Sequence, residues 1–313
     1  MKKTIIALLF FISQITFAQF LPPVSWTPVT WKKGFGEVFY GNKGTFFADA
    51  NGDGMSDCIA VNDNDMVNLR IAEGTKFRVI VSWTIKPYYG NIATCFADVT
   101  GDGKADAIKV DDNMVSVSPS NGKRFPFSFP WTENAFYGAK ETFFADVNGD
   151  GKADAIAVNN DNIKIRISNG SKFLPIAIWS DSAFYGSKGT FIADVNGDNK
   201  KDVIAVNDDK ISVKISDGTQ FLPSTAWTDN AYYGNKGTYF ADVNGDKRAD
   251  AIVVNDDKIT VRISDGTQFL PNSSWTDNPF YGTKATFFAD VNGDGKADAI
   301  AINDTEIMVR LAN

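Results

Sequence analysis

Residues 143–159 read FFADVNGDGKADAIAVN, and the same line returns, lightly edited, six times along the chain. The first aspartates of the copies are Asp49, Asp98, Asp146, Asp194, Asp242 and Asp290, so the interval is 48 residues, once 49. A fixed period of this size is the signature of a propeller, solenoid or array. The third copy parses into four short strands. Residues 142–147 carry Phe143 and Phe144. In residues 153–159, Ala155 and Ala157 alternate with Ile156 and Val158, so both faces are apolar and one is small, which suits a strand buried between neighbouring sheets. Residues 163–168 alternate Ile163, Ile165 and Ile167 with Lys164 and Arg166, leaving one face wet. Residues 173–179 contain Pro175, which a sheet tolerates only at its edge. Burial therefore falls from the first strand to the fourth, as from the axis of a propeller blade to its rim.

The chain ends complete this reading. FLPPVSW at 20–26 matches FLPSTAW at 221–227, while the last copy stops at MVRLAN, where another such segment should follow. The N-terminal strand then completes the last blade, and no sheet edge between the ends stays open. The expectation is an all-β, six-bladed propeller of four-stranded antiparallel blades, one domain over residues 19–313. Strand direction puts the aspartate loops (connection 1–2) and the SDGTQ-type turns (3–4) on one face. The VNDDK-type turns (2–3) and the WTDNxxYG connections (4–1) lie on the other.

Residues 1–18 have Lys2 and Lys3, an apolar run and then Thr16-Phe17-Ala18, which reads as a cleaved secretory signal. No later apolar run is long enough to span a bilayer. The expected mature chain is exported: extracellular, or periplasmic or cell-surface associated. The 313 residues hold 38 acidic and 31 basic side chains and no histidine, for a formal charge of −7. An acidic chain without basic clusters argues against nucleic acid and anionic membrane as partners. Cys58 and Cys95 replace small or aromatic strand residues; buried thiols are the plainer reading, and a disulfide is the alternative that an exported chain permits.

The polar loop of the third copy places side-chain oxygens at positions 1, 3, 5 and 9: Asp146, Asn148, Asp150 and Asp154. Position 7 can offer its carbonyl, and glycine at position 6 permits the sharp turn. Hard oxygen donors in this order suit calcium, although the glutamate of an EF-hand at position 12 is missing. The same set recurs as Asp49, Asn51, Asp53, Asp57; Asp98, Thr100, Asp102, Asp106; Asp194, Asn196, Asp198, Asp202; Asp242, Asn244, Asp246, Asp250; and Asp290, Asn292, Asp294, Asp298. Asn, Asp and Gly also favour turns without any metal, but three carboxylates in nine residues repel one another in a way that Ca2+ would relieve. Asn199 and Lys247 hold position 6 of the fourth and fifth loops, and the left-handed backbone costs lysine more, so the fifth loop is expected to be weakest.

FxADVNGDGKADxIxV resembles the FG-GAP/VCBS repeat of integrin-α-like propellers. With the W…YG connection, it looks most like the repeat of the propeller lectins known from mushrooms and bacteria. The resemblance covers residues 20–313. It implies calcium in the loops named above and sugar pockets between adjacent blades. Those lectins typically have seven blades, so a seven-bladed ring is the alternative to the six counted here.

Each 4–1 connection carries Trp, then an aromatic pair and Gly. The candidate sugar contacts are Trp131, Tyr137 and Lys140; Trp179, Tyr185 and Lys188; Trp227, Tyr233 and Lys236; and Trp275, Tyr281 and Lys284. Glu133, Asp181, Asp229 and Asp277 follow the tryptophans. An aromatic face beside a carboxylate and an ammonium suits a sugar, with its CH-rich face and its hydroxyls. The plainer role for a Trp at every junction is packing between blades, and the two roles are compatible. The second copy has Ile85 and Ile92 in place of the charged pair, so its pocket is expected to be dead. The first connection is longer and adds Trp31, Lys32, Lys33 and Glu37, as a special site or a cap.

Near-identical sites in a ring favour a multivalent glycan-binding protein, because weak contacts add as avidity. An adhesion scaffold that binds protein is the alternative, and fold alone does not decide between them. A polysaccharide-active enzyme is the less favoured third reading: no histidine is present, and nearly every carboxylate sits at a repeated position, whereas catalysis usually needs a unique constellation.

Overall fold

The computed structural model describes residues 19–27, 39–63 and 66–313. The expected signal peptide and Trp31, Lys32, Lys33 and Glu37 lie outside them. The described elements are all strands, arranged as six four-stranded antiparallel sheets. Blade 3 is β10 (Glu141–Ala145), β11 (Asp154–Val158), β12 (Ile163–Arg166) and β13 (Ala177–Ser180). Blade 1 repeats this order with β2 (Gly44–Ala48), β3 (Asp57–Val61), β4 (Asn68–Arg70) and β5 (Val81–Ser82). Blade 2 follows with β6 (Ala93–Ala97), β7 (Asp106–Val110), β8 (Val115–Ser118) and β9 (Phe129–Pro130). Blade 4 has β14 (Gly189–Ala193), β15 (Asp202–Val206), β16 (Ile211–Lys214) and β17 (Thr225–Ala226). Blade 5 has β18 (Gly237–Ala241), β19 (Asp250–Val254), β20 (Ile259–Arg262) and β21 (Ser273–Ser274). Blade 6 is β22 (Ala285–Ala289), β23 (Asp298–Ile302), β24 (Ile307–Arg310) and, from the other end of the chain, β1 (Val24–Ser25). Val24 pairs with Val309 and Ser25 with Met308, so the ring closes as its sequence implies.

The second strand of every blade is buried from end to end, apart from half-buried Lys109 in blade 2. The fourth strands are mostly exposed and two residues long, except the four-residue β13, whose pairing shifts register at Ile163/Lys164. A proline lies in or within two residues of each one except that of blade 1, as suits edge strands. Each blade's first strand approaches the first strand of the next blade, including β2 with β22, so these strands surround the axis. In between, the small residues of one second strand receive the large ones of the neighbour; Ala155 and Ala157, for example, pack with Ile108, Val110 and Val117.

Three recurring bonds sew adjacent blades together. The amide at loop position 8 donates to the carbonyl of position 1 in the preceding blade, from Ala105 N to Asp49 O (2.7 Å) round to Ser56 N to Asp290 O (2.7 Å). At the rim the amide of a phenylalanine donates to the preceding tryptophan carbonyl, as in Phe221 N to Trp179 O (3.0 Å). Thirdly, a buried serine of the 3–4 turn donates across the seam: Ser120 to Ala50 O, Ser168 to Val99 O, Ser216 to Val147 O and Ser264 to Val195 O, at 2.5–2.6 Å. Ala72 and Ala312 occupy that serine's place in blades 1 and 6, so both seams flanking the closing blade lack the hydroxyl.

The cysteines sit in different blades, Cys58 in β3 and Cys95 in β6, and both thiols are free. Burial pushes both thiol pKa values up.

Candidate functional site

The aspartate loops are built from their first residue. Asp146 accepts the amides of Gly149 and Gly151 (both 2.7 Å), and Asn148 accepts that of Asp150 (2.9 Å). Positions 4 and 6 have positive φ, where glycine is free of strain. Among the described residues, Asn199 and Lys247, at φ 64° and 68°, are the two non-glycine residues that adopt this conformation. The position-9 carboxylates take amides from a different pair of segments. Asp154 is fully buried, with Oδ2 accepting from Val147 N (3.2 Å) and Oδ1 from Ser168 N (2.8 Å), so it clamps the 1–2 loop to the 3–4 turn. Burial first, and then Asp150 and Asp146, push its pKa up to about 7 against those amide bonds. Asp57, Asp202, Asp250 and Asp298 are likewise raised to about 7 and Asp106 to about 6, in each case chiefly by burial.

The donor set is therefore all oxygen, on a turn already tightened by glycine and Asx bonds, which fits a hard cation. Two features limit that fit. Among the described residues no three acidic side chains converge closely enough to hold a metal. In four loops the basic residue at position 7 bends back onto the position-5 carboxylate: Lys104 to Asp102 (2.8 Å), Lys152 to Asp150 (3.0 Å), Lys200 to Asp198 (2.8 Å) and Arg248 to Asp246 (2.6 Å).

On the opposite face the 4–1 connection divides into two places. The tryptophans are buried, each ring against the phenylalanine of the next blade: Trp131 on Phe173, Trp179 on Phe221, Trp227 on Phe269 and Trp275 on Phe20, at 5.1–5.4 Å. They pack the seams, and Trp179 and Trp227 also line the clefts beside them. Around them open rim clefts of about 580 Å3 at the seam of blades 3 and 4 and about 520 Å3 at the seam of blades 4 and 5. In the second cleft Asp229 and Asn230 from blade 4 meet Arg262, Gln268, Leu270 and Pro271 from blade 5. Arg262 Nη2 donates to Asn230 Oδ1 (2.8 Å), its guanidinium lies 4.6 Å over the Tyr232 ring, and its Nε is buried without a protein acceptor. The seam of blades 2 and 3 matches with Glu133 near Arg166, and that of blades 5 and 6 with Asp277 near Arg310. Burial lowers both arginine pKa values, and the carboxylate opposes that shift.

The tyrosines and lysines sit elsewhere, where the connection enters the innermost strand. Lys140 stands 4.5 Å over Tyr185 of the next blade, Lys188 5.0 Å over Tyr233, and Lys236 4.9 Å over Tyr281. Lys188, Lys236 and Lys284 also pair with Asp208, Asp256 and Asp304 at 2.8–2.9 Å. The structure thus brings each lysine to the tyrosine of the following blade, and neither joins the tryptophan. The glycine between them is required by space: a Cβ on Gly186 would lie 2.1 Å from Gly189 O. Sequence reading missed the basic residue that ends the third strand, at Arg70, Arg166, Lys214, Arg262 and Arg310, and the Gln of the 3–4 turn. The recurrence of the basic residue in five of the six blades was the available signal.

The FG-GAP-like repeat pattern matches residues 49–108, 146–205, 194–253 and 242–301, more than half of the chain. The chain belongs to the FG-GAP-like repeat family. No curated protein matches this FG-GAP-like chain in sequence. Among solved structures it is similar to an Agrocybe aegerita lectin, described by its specific recognition of non-reducing terminal N-acetylglucosamine. That likeness has 22% identity and a TM-score of 0.62, over 82% of this chain and 73% of the lectin. It is also similar to the Photorhabdus luminescens Tc holotoxin pore (14% identity, TM-score 0.68), covering 95% of this chain but only 14% of that one. An auxiliary nutrient binding protein from Bacteroides thetaiotaomicron shares 9% identity at a TM-score of 0.51, over 95% of this chain and 77% of that one. At these identities the FG-GAP-like chain shares the propeller fold with all three.

Proposed function

We propose that the protein is an exported, multivalent, calcium-binding carbohydrate-binding propeller rather than an enzyme. The observation that carries this reading is an acid–base pair repeated at four seams, two of which open as rim clefts. Each sets a carboxylate (Glu133, Asp181, Asp229 or Asp277) near a basic side chain (Arg166, Lys214, Arg262 or Arg310) across a blade junction. A carboxylate accepts from vicinal hydroxyls, while guanidinium and amide N–H groups donate to ring and acetamido oxygens. Leu270 and Pro271 offer an apolar wall to the CH face of a pyranose. The likeness of fold to a lectin supports the same class of ligand. Repeated sites on one ring would convert weak single contacts into avidity.

Calcium belongs to this proposal as a structural ion. The side chains of Asp146, Asn148 and Asp150, with their counterparts in the other loops, would hold it, and it would supply positive charge among mutually repelling carboxylates. Asp154 and its counterparts would act beside it by keeping the loop clamped to the 3–4 turn. Export follows from the N-terminal signal pattern.

A glycan array probed with and without chelator, N-acetylated hexoses included, tests the reading. Selective binding that falls when the cleft variant Asp229→Ala/Arg262→Ala is used supports it. A blank array with a folded protein refutes it. Calcium that leaves the melting temperature unchanged refutes the metal assignment.

A further inference from the structure

The seam between blades 1 and 2 departs from the other clefts. Its scaffold is intact: Phe125 N donates to Trp83 O at 2.8 Å, and the two rings pair at 5.2 Å. The side chains mounted on it differ. Where Asp181 and Asp229 line the regular clefts, this seam has Ile85; where Lys214 and Arg262 stand, it has Ser118. Pro223 and Pro271 are replaced by Phe127, Asn230 by Lys86, and Gln220 and Gln268 by Arg124. Ile85 is 78% exposed and Phe127 68%, with Phe129 two residues further along the same edge at 54%. Lys86, Lys123 and Arg124 are exposed, and no salt bridge among the described residues involves them.

An acid–base pair suited to a polar ligand has thus been exchanged for bare apolar side chains flanked by uncompensated cations, on a protein of formal charge −7. We propose that this seam docks a protein partner through an acidic segment bearing aromatic or large aliphatic side chains. Phe127 and Ile85 would be covered by that segment's apolar groups, and desolvated aromatic anchors dominate such contacts. Lys86, Lys123 and Arg124 would face its carboxylates, setting orientation and salt dependence. A neutral glycan would find neither the acid nor the base of the other seams. An acidic polysaccharide would use the cations but leave Phe127 and Ile85 wet. A second copy arranged about a two-fold axis would set these cations against themselves. The proposal uses residues separate from the carbohydrate clefts and does not depend on that reading.

The test uses short labelled peptides in which acidic (Glu or Gln) and aromatic (Phe or Ser) content are varied independently, titrated against the full chain and followed by fluorescence anisotropy. Only the Glu/Phe peptide should bind, and more weakly as salt rises. Phe127→Ser should weaken it about tenfold or more, and Lys86→Asn/Arg124→Gln should do the same while flattening the salt dependence. Phe127 is exposed, so the melting temperature and glycan binding at the other seams should stay at the parent values. Equal binding of the Gln/Phe peptide, or no binding by any peptide at millimolar concentration, overturns the proposal. So does tight binding of polygalacturonate that Phe127→Ser leaves intact, and so does a dimer in sedimentation that Phe127→Ser dissolves.

Discussion

Removing one hydroxyl should loosen the ring measurably. Ser216 is buried; its Oγ donates to Val147 O of the preceding blade at 2.6 Å and accepts from Gly218 N at 3.1 Å. Ser216→Ala deletes the shared partner of a carbonyl and an amide and introduces no clash. A buried polar group left unsatisfied costs roughly 1–3 kcal/mol, and Gly218 N lies close enough to the surface to recover part of its loss. The expected destabilisation is about 2 kcal/mol. For a domain this large each kcal/mol moves the midpoint by about 2 °C, so calorimetry should record a fall of about 4 °C. The chain supplies the reverse experiment, because Ala72 stands where the serine would bridge blade 1 to Val291 of blade 6. Ala72→Ser should add a net hydrogen bond worth about 1 kcal/mol and raise the midpoint by about 2 °C. A Ser216→Ala protein that melts with the parent, or an Ala72→Ser protein that melts lower, would refute the stitching argument.

Three further outcomes follow from the same geometry. Lys247→Gly should stabilise the fifth loop by up to about 1 kcal/mol by releasing a left-handed backbone, and Asn199→Gly by less; chemical denaturation midpoints would show the order. Deleting residues 20–26 removes β1 and the buried rings of Phe20 and Trp26, each worth about 3–5 kcal/mol. The truncated chain should therefore lose its cooperative melt, and a parent-like transition would contradict the strand exchange. Tyr233→Ala should leave glycan binding unchanged and lower stability by about 0.5–1 kcal/mol, since its ring meets Lys188 of the neighbouring blade rather than a rim cleft. Weakened glycan binding at unchanged stability would return the tyrosines to the ligand site.

Blade number, strand order and ring closure were legible because each depends on local pattern. The 48-residue period counts the blades, the alternation of Ile156 and Val158 with Ala155 and Ala157 marks the buried strand, and Pro175 marks the edge. The candidate site was legible only in part. Trp227, Tyr233 and Lys236 lie within ten residues, which invites reading them as one pocket. Yet that connection crosses from rim to axis, leaving Trp227 outside and Lys236 beside the innermost strand. The partners that complete the rim cleft, Arg262 and Gln268, come from the next blade more than thirty residues later. Spacing along one connection carries no information about that encounter. Which lysine meets which tyrosine is hidden for the same reason: Lys140 and Tyr137 are near in sequence, but the stagger of adjacent first strands presents Lys140 to Tyr185.

The pairing of β1 with β24 also governs the order of assembly. Blades 1 to 5 are each folded from contiguous chain, so their contacts form at short range. The sixth must bring together groups as far apart as Leu21 and Arg310, a separation of 289 residues. Contacts at such separation form late and slowly. During synthesis the earliest strand must wait for the latest one, so an interrupted chain would hold folded blades but no ring. The circle therefore closes only once β24 has been made to receive β1.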